Sequence, residues 1–293
     1  MTNHLLPDSE FQKRWQKTQQ LVREKGLDVL IVHSNEADFA NVRYLSDYWP
    51  IFETAGVIVP ARGEPALIIG PESETYARDR SRIRKIYKVV AYRESAEPEY
   101  PGVPVDTFAS IFSEMFPGQK PKKIGLAGYQ IFPLPVFNEI QKAAPEAEII
   151  KSDEIIFNQR KIKSAAEMGM LKEAFRISEK ALEKALAEIR PDMTELQLVG
   201  IIQKELYAHG AEYEGHPTYV LAGRNSNHAI GRPGYEKLGR NRLIQFNVGA
   251  RFGGYSSSVG CPVCIGKMSG EMRRLVEAGL ELHFKTREWM KAG

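Results

Sequence analysis

The stretch FNVGARFGGYSSSVGCPVCIGKMSGE, residues 246–271, decides the fold of this chain. Three glycines within residues 249–254 permit tight backbone turns between runs of strand-forming residues. Because successive side chains of a strand point to opposite faces, Asn247 and Ser258 can share one cavity only across a hairpin. A glycine-rich hairpin through residues 250–254 would bring these two polar side chains together. A hairpin without any chemistry is the alternative that the spacing leaves open.

The segments before this stretch predict two helices and a further strand. Residues 164–190 have apolar residues at helical spacing, and Pro191 ends the pattern. A second helix is predicted from a cap at Asp192 or Thr194 to Gly210. Strand-like, glycine-rich residues follow, so this part of the chain is predicted to be an α+β unit.

The first half of the chain has a different pattern. The apolar run DVLIVHS at residues 28–34 is typical of a strand that is covered on both faces. Residues 56–60 and 65–70 flank a short polar turn, which predicts a hairpin. Strand-like and helix-like stretches then alternate up to about residue 150, which predicts an α/β domain with a mixed or parallel sheet.

The composition is that of an ordinary globular protein and limits the classes of partner. The 293 residues include 40 basic and 37 acidic side chains, a net charge of +3 that indicates neither nucleic acid nor a membrane as partner. No apolar run of about 18 residues occurs, so no membrane span is expected. Cys261 and Cys264 are too few for a disulfide framework. We expect them to be buried small apolar residues in a cytoplasmic protein.

At residues 246–271 the chain resembles the superfamily of prolidase, aminopeptidase P, methionine aminopeptidase and creatinase. The family pattern there is Asp-x-Gly-Ala-x3-Gly-Tyr-x-Ser-Asp-x-Thr-Arg, followed by a strand, a Gly-x-Pro-Ser turn and a helix. The matching residues are Gly249, Ala250, Gly254, Tyr255, Ser257, Gly266, Ser269 and Glu271. Residues 160–174 are similar to the Arg-x-x-Lys-Ser-x-x-Glu segment that leads into the family's catalytic domain. Asn41, Tyr44 and Leu45 resemble its Asn-x-x-Tyr-Leu motif.

This resemblance implies the fold class. It implies an α/β creatinase-like N-terminal domain at residues 1–152 and an α+β pita-bread catalytic domain at residues 160–293, assembled as a homodimer. Residues 181–195 resemble residues 278–293 in helical pattern and in where the helix stops. If this is the start of a structural repeat, the C-terminal half of the pita-bread domain is missing from the chain. Two amphipathic helices that merely look alike are the alternative.

Two departures from the family pattern decide the expected chemistry. The family's first metal-binding aspartate position is Asn247 here, the second is Ser258, and the arginine that follows is Cys261. Bridging carboxylates offset the repulsion between two divalent ions, whereas an amide and a hydroxyl are neutral donors. We therefore expect no metal and no other cofactor. The resemblance then implies a creatinase-like enzyme, because creatinase is the metal-free precedent in this superfamily and uses a histidine as its acid–base group.

The position of the family histidine is occupied by Ile230 in this sequence. His228 is two residues away and is the first candidate for the proton shuttle, provided that the loop is shifted in register. His216 stands at the family's pocket-lining phenylalanine position and is the second candidate. Surface or structural roles are the alternative for both histidines.

The same loop carries residues that suit a substrate carboxylate. Arg224 and Arg232 have guanidinium groups that bind carboxylates in two-point fashion, and Asn225 lies beside them. Asn247, Tyr255 and Ser258 are expected to line the pocket by hydrogen bonding. Surface ion pairs are the alternative for the arginines.

Together these features predict a metal-independent hydrolase of a C–N bond in a small amidino, amide or imino-acid compound. Its partners are expected to be a small molecule and a second copy of the chain, with no nucleic acid and no membrane. A non-catalytic pita-bread binding module is one alternative, which the absence of a histidine at residue 230 favours. A degenerate homologue of Xaa-Pro peptidases is the other.

Overall fold

The computed structural model describes residues 5–292, which form two compact units. Unit 1 ends at Ser164 and unit 2 begins at Ala165. Among the described residues, each unit has hydrophobic clusters of its own, two in unit 1 and one in unit 2.

Unit 1 is built on a six-stranded mixed sheet. Its strands are β1 (Val29–Asn35), β2 (Thr54–Pro60), β3 (Ala66–Ile69), β4 (Ile86–Lys88), β5 (Lys123–Ala127) and β6 (Glu148–Lys151), in the spatial order β4-β3-β2-β1-β5-β6. Strands β1, β2 and β3 pair antiparallel, whereas β4, β5 and β6 join by parallel pairing. The predicted strand at 28–34 and the predicted hairpin of β2 with β3 are confirmed.

Helices cover both faces of this sheet. The helices of unit 1 are α1 (Asp8–Glu24), α2 (Ala40–Ser46), α3 (Glu74–Arg80), α4 (Phe108–Met115), α5 (Leu134–Ala143) and α6 (Glu154–Lys161). Apolar residues of α1, α2, α3 and α6 pack on one face, and those of α4 and α5 pack on the other. Six of the seven residues of β1 are therefore buried, as the continuous apolar run predicts.

Unit 2 combines three helices with two small sheets. The helices are α7 (Ala165–Glu188), α8 (Glu195–Ala208) and α9 (Gly270–Trp289). The strands are β7 (Tyr213–Glu214), β8 (Tyr219–Ala222), β9 (Leu243–Val248), β10 (Ala250–Phe252), β11 (Tyr255–Ser256) and β12 (Val259–Cys264). Thr194 caps α8, because its Oγ1 accepts the Gln197 N–H at 3.1 Å while Gln197 Oε1 accepts the Thr194 N–H at 2.9 Å.

The antiparallel sheet β12-β9-β8 positions the candidate site. One of its faces contributes Val220, Ile244 and Phe246 to the core that α7 and α8 cover. The opposite face carries Tyr219 and Asn247, which are adjacent in register and half-buried. This sheet therefore has one apolar face and one polar face. Helix α9 has no buried residue within the part of the chain that the structure describes.

The cysteine prediction is wrong. Cys261 and Cys264 lie on β12 and are free and half-exposed rather than buried. Strand β12 also continues through Pro262, which pairs in register with Gln245. A proline is tolerated there because β12 is an edge strand of its sheet. Among the described residues, no helix is both long enough and apolar enough to cross a membrane.

Candidate functional site

Asn247 and Ser258 lie in direct contact. The Ser258 hydroxyl donates to Asn247 Oδ1 at 3.0 Å. Asn247 lies on β9, and Ser258 immediately precedes β12, which pairs antiparallel with β9. The chain between them turns back through β10 and β11, so the two side chains meet across the kind of glycine-rich turn that their convergence requires.

His216 lies on the same side of the sheet. A Cβ atom on Gly249 would lie 2.9 Å from His216 Cδ2 and 3.0 Å from Nε2, so the ring packs directly over this glycine. Gly249 is two residues beyond Asn247, and alternate residues along an extended chain face the same way. Any side chain at residue 249 would therefore displace the imidazole.

The hydrogen bond of the His216 ring fixes its neutral tautomer. Nδ1 lies 2.8 Å from the carbonyl oxygen of Pro217, which can only accept, so Nδ1 carries the proton. Nε2 then carries the lone pair; it is buried and has no hydrogen-bond partner within residues 5–292. A buried acceptor without a donor is costly, and a catalytic role is one of the recognised reasons for keeping such a group.

Tyr219 is a further member of this site. It lies opposite Asn247 in register on the neighbouring strand. Its ring meets the His216 ring edge-on, with centroids 6.0 Å apart. We call His216, Tyr219, Asn247 and Ser258 the polar face. Sequence reasoning missed Tyr219 because its place beside Asn247 depends on the register of β8 with β9.

Residues 223–234 form a loop that a buried carboxylate holds in place. Glu195 is fully buried and accepts the N–H groups of Ala222 at 2.6 Å and Gly234 at 2.8 Å. The Asn225 side-chain amide donates to both Glu195 oxygens at 3.1 Å. The amide nitrogen of Asn225 is thus used inside the fold. Sequence reasoning missed Glu195, whose only sequence signal is its place in the first turn of α8.

This loop returns over the side of the sheet that carries the polar face. A Cβ atom on Gly231 would lie 3.2 Å from both Leu221 Cδ1 and His228 Cβ. Leu221 is two residues from Tyr219, so its side chain lies on the same side. His228 is exposed on the loop, and Ile230 is 87% exposed.

The remaining predicted site residues lie elsewhere in the loop and in the other sheet. Arg224 and Arg232 are exposed on the loop. Tyr255 lies on β11, and its hydroxyl donates to Oε1 of the buried Glu167 at 2.7 Å. The structure thus joins Tyr255 to α7, whereas Asn247 and Ser258 lie together on the polar face.

The residues of the polar face do not suit the pair of divalent ions that the superfamily pattern implies. Asn247 and Ser258 supply a neutral amide and a neutral hydroxyl, already hydrogen-bonded to each other. Within residues 5–292, no three His, Cys, Asp or Glu side chains are grouped so that they could hold a metal ion. Without anionic bridging ligands, the repulsion between two such cations is not offset.

Fold and site together define a two-domain protein of the creatinase and prolidase class. Residues 14–162 match the creatinase/prolidase N-terminal domain, and residues 169–293 match metallopeptidase family M24. The chain belongs to this family, and the predicted fold class is confirmed.

Several archaeal and bacterial proteins are similar to the chain. An Xaa-Pro dipeptidase of Pyrococcus horikoshii is 24% identical over 270 residues, which are 92% of this chain and 69% of that protein. An Xaa-Pro dipeptidase of Pyrococcus furiosus is 22% identical over 283 residues, 97% of this chain and 73% of that protein.

Solved structures share the fold. The prolidase of Pyrococcus horikoshii superposes with a TM-score of 0.76 at 20% identity, covering 93% of this chain and 71% of that one. The X-Pro aminopeptidase of Thermotoga maritima superposes with a TM-score of 0.71 at 22% identity, covering 88% of this chain and 66% of that one. At this level of identity the likeness establishes the shared architecture.

Proposed function

We propose that the chain is a hydrolase of a C–N bond in a small imino-acid compound, of the Xaa-Pro dipeptide class, and that it acts without a metal pair at residues 247 and 258. The similarity to Xaa-Pro dipeptidases supports the substrate class. The observation that carries the metal-independent part is the contact of Asn247 with Ser258, a neutral pair at the two expected ligand positions.

In the proposed mechanism His216 is the acid–base group. Its Nε2 is buried against Gly249, so the ring would have to be uncovered as the substrate binds. Nε2 then takes a proton from a water molecule while the water oxygen attacks the carbonyl carbon of the amide. The imidazolium then gives that proton to the leaving nitrogen, and the C–N bond breaks. The hydrogen bond from Nδ1 to the Pro217 carbonyl oxygen holds the ring in the tautomer that this role requires.

Asn247 would stabilise the negative charge on the substrate oxygen. Its Oδ1 is occupied by the Ser258 hydroxyl, which leaves the Nδ2 amino group to donate to that oxygen. Gly260 lies opposite Asn247 in register and adds no side chain beside the amide.

The loop would supply recognition of the substrate carboxylate. Arg224 and Arg232 are exposed and carry the two-point donors that bind a carboxylate. Asn225 would act indirectly, by holding the loop through Glu195. His228 on the same loop is the alternative proton shuttle.

The proposal includes a homodimer in the cytoplasm. Cys261 and Cys264 are both free, which agrees with a reducing compartment. Light scattering of the purified chain measures the molecular mass and tests the dimer.

The second candidate function is a non-catalytic binding module of the same fold. Ile230, at the family's histidine position, is 87% exposed and carries no proton-transfer group. In that case peptides bind to the chain and are recovered intact.

The deciding experiment measures alanyl-proline cleavage by the full chain, before and after exhaustive chelation. We expect cleavage that chelation leaves unchanged and that His216→Gln lowers at least about 100-fold, since general acid–base catalysis contributes that much. His283→Gln, an exposed histidine on α9, is the matched control and keeps full activity. Loss in His228→Gln instead of His216→Gln transfers the shuttle role to His228. Chelation that abolishes cleavage contradicts the metal-independent mechanism, and binding without cleavage supports the binding module.

A further inference from the structure

Glu214 is a carboxylate two residues from His216 that the chemistry above does not use. It ends β7, which pairs with β10 so that Glu214 lies opposite Ala250 in register. The next residue, Gly215, donates its N–H to the Gly249 carbonyl oxygen at 2.8 Å. Gly249 is also the glycine on which the His216 ring packs. The backbone that leads from Glu214 to His216 is therefore attached to the residue that supports the imidazole.

Gly215 leaves this backbone little freedom to move. A Cβ atom on Gly215 would lie 2.8 Å from the Ser257 carbonyl oxygen and 2.9 Å from the Ala250 carbonyl oxygen. Such distances are shorter than ordinary van der Waals contact, so three segments of backbone meet here without side chains between them. With the path of the chain fixed up to His216, the orientation of the peptide unit that follows decides what its ring can bind.

Both oxygens of the Glu214 side chain are engaged by the fold. Oε1 accepts the side-chain amide of Gln203 on α8, and Oε2 accepts the Thr218 N–H at 3.2 Å. Thr218 is only 3% exposed, and a buried N–H needs an acceptor. The carboxylate is therefore held by a helix on one side and holds the backbone at residue 218 on the other.

The peptide unit between Pro217 and Thr218 connects this carboxylate to His216. The peptide bond is trans, so its N–H and its C=O point in opposite directions. The N–H points to Glu214, and the C=O oxygen lies 2.8 Å from His216 Nδ1. The hydrogen bond to Glu214 thus sets the direction of the carbonyl group that holds the Nδ1 proton.

The charge of Glu214 also acts along this connection. Hydrogen bonds to a carboxylate are stronger than those between neutral groups, and successive hydrogen bonds polarise one another. Glu214 and His216 are both half-buried, where the screening by water is weaker than at the surface. A peptide that donates to a carboxylate offers a better acceptor at its carbonyl oxygen, which favours the ring form with the proton on Nδ1 and the lone pair on Nε2.

We propose that Glu214 is a positioning residue for His216 and acts through the peptide unit of residues 217 and 218. The carboxylate orients the peptide, and the peptide carbonyl fixes the ring form that proton transfer at Nε2 requires. A peptide unit stands here between a carboxylate and a histidine that other enzymes join directly. The inference rests on the proposed role of His216 in the hydrolase.

The test is nitrogen-15 NMR of the His216 ring in the full chain at pH 8, which lies well above the ordinary pKa of imidazole. The chemical shifts of the two ring nitrogens report which of them carries the proton, and this readout needs no enzyme activity. His216→Gln identifies the signals by removing them. We expect the unaltered chain to show the form that is protonated at Nδ1.

Three substitutions separate the reach of Glu214 from its charge. Glu214→Ala removes the acceptor, and Glu214→Asp keeps the charge on a side chain that is one methylene shorter. Each should lower the ratio of the Nδ1–H to the Nε2–H form at least about tenfold, because a hydrogen bond to a charged group is worth that much. Glu214→Gln keeps an oxygen acceptor at the original reach and should restore most of the Nδ1–H form. Glu183→Ala, on the exposed side of α7, is the control and leaves the ratio unchanged.

The kinetics of alanyl-proline cleavage give a second readout. Glu214→Ala and Glu214→Asp should lower kcat by about tenfold or more, because small errors in the placement of a catalytic group are costly. KM should change less than about twofold, since Glu214 acts on the ring and not on the bound substrate. Glu214→Gln should recover most of the lost kcat.

The outcomes distinguish this proposal from the proposed function. Retention of the Nδ1–H form in both Glu214→Asp and Glu214→Ala overturns the positioning role, whether or not the chain is active. So does loss of that form in Glu214→Gln to the same extent as in Glu214→Ala. A ring form that follows Glu214 in a chain that cleaves no dipeptide supports the positioning role and contradicts the hydrolase instead. If Glu214→Ala does not fold, Glu214→Asp and Glu214→Gln decide between these outcomes.

Discussion

The sheet of unit 1 is covered on both faces, whereas the sheet of β8, β9 and β12 in unit 2 is apolar on one face and polar on the other. In unit 1, Ile31 and its neighbours on β1 are fully buried between two sets of helices. In unit 2, Asn247 and Tyr219 remain half-buried on the polar face. Within unit 2, the sheet face that the helices leave uncovered is therefore where a reaction site can form.

The histidines of the two sheets illustrate this difference. His33 on β1 is fully buried, and burial lowers its pKa to about 3. His216 is half-buried, and its Nδ1 proton is held by a carbonyl oxygen. Burial alone is enough to keep the His33 imidazole neutral. The hydrogen bond of His216 Nδ1 to a carbonyl oxygen also determines which ring nitrogen of His216 carries the lone pair.

The largest expected contrast is in core stability. Ile31→Ala removes a fully buried side chain from the doubly covered sheet and should lower the free energy of unfolding by about 3–4 kcal/mol. Gln245→Ala, half-exposed in the sheet of unit 2, should change it by less than about 0.5 kcal/mol. Denaturant unfolding measures both, and equal losses would mean that the polar face is packed like a core.

The second contrast is between two glycines of unit 2. Gly249→Ala should destabilise the chain by about 2 kcal/mol, because its Cβ would lie 2.4 Å from the Ser257 carbonyl oxygen and 2.9 Å from the His216 ring. Gly200→Ala, in the interior of α8 with open space around it, should stabilise by about 0.5–1 kcal/mol. Thermal unfolding gives both signs, and a neutral Gly249→Ala would show that His216 does not need this contact.

The third contrast concerns pH. Burial lowers the folded-state pKa of His33 from 6.5 to about 3. The neutral ring therefore contributes fully to stability above pH 6.5. This contribution is lost as the pH falls toward 3. Unfolding free energy should therefore fall by about 1.4 kcal/mol per pH unit within this window. His33→Phe should abolish this slope and raise stability at low pH.

The titration of Glu53 changes the unfolding free energy with pH in the direction opposite to that of His33. The pH measurement must therefore separate the two contributions. Burial raises the folded-state pKa of Glu53 from 4.5 to about 7. The protonated form therefore favours folding below pH 4.5. This contribution to stability is lost as the pH rises toward 7. Unfolding is best followed in the Glu53→Gln background, with and without His33→Phe. Identical profiles in the two proteins would contradict the assignment to His33.

The smallest contrast is among helix caps. Thr107 caps α4 and Thr194 caps α8, each in a reciprocal pair with the third residue of its helix. Thr107→Ala and Thr194→Ala should each cost about 1 kcal/mol of unfolding free energy. Ser269→Ala, at the start of the exposed α9, should cost less in global unfolding and mainly fray that helix. Equal global losses in the three variants would show that α9 folds together with the core.

Much of the fold follows from the sequence because its signals are local. Apolar runs along the chain predict the buried β1 and the hairpin of β2 with β3. A single capping residue, Thr194, predicts the start of α8. The meeting of Asn247 with Ser258 is one of two outcomes that the sequence leaves open, because the glycines between them permit the chain to turn back, and the structure shows the contact.

Other parts of the site depend on pairing that periodicity does not specify. Tyr219 joins the site through the register of β8 with β9, and Glu195 holds a loop that follows it by about 30 residues. A cavity in unit 1 likewise combines residues from β1 and β2 with residues of two distant segments of the chain. The partial exposure of Cys261 results from the position of β12 at the edge of its sheet. The order of strands in a sheet is not visible in the sequence pattern, so this exposure was not predicted.

Asn247 and Ser258 form a neutral, hydrogen-bonded pair, and we propose that this pair does not hold divalent cations. Titration of the metal-free chain with Mn²⁺, followed by electron paramagnetic resonance, tests it most directly, with Asn247→Ala as the comparison. We expect no saturable Mn²⁺ site and the same spectrum for both proteins. Stoichiometric Mn²⁺ binding that Asn247→Ala abolishes would contradict it.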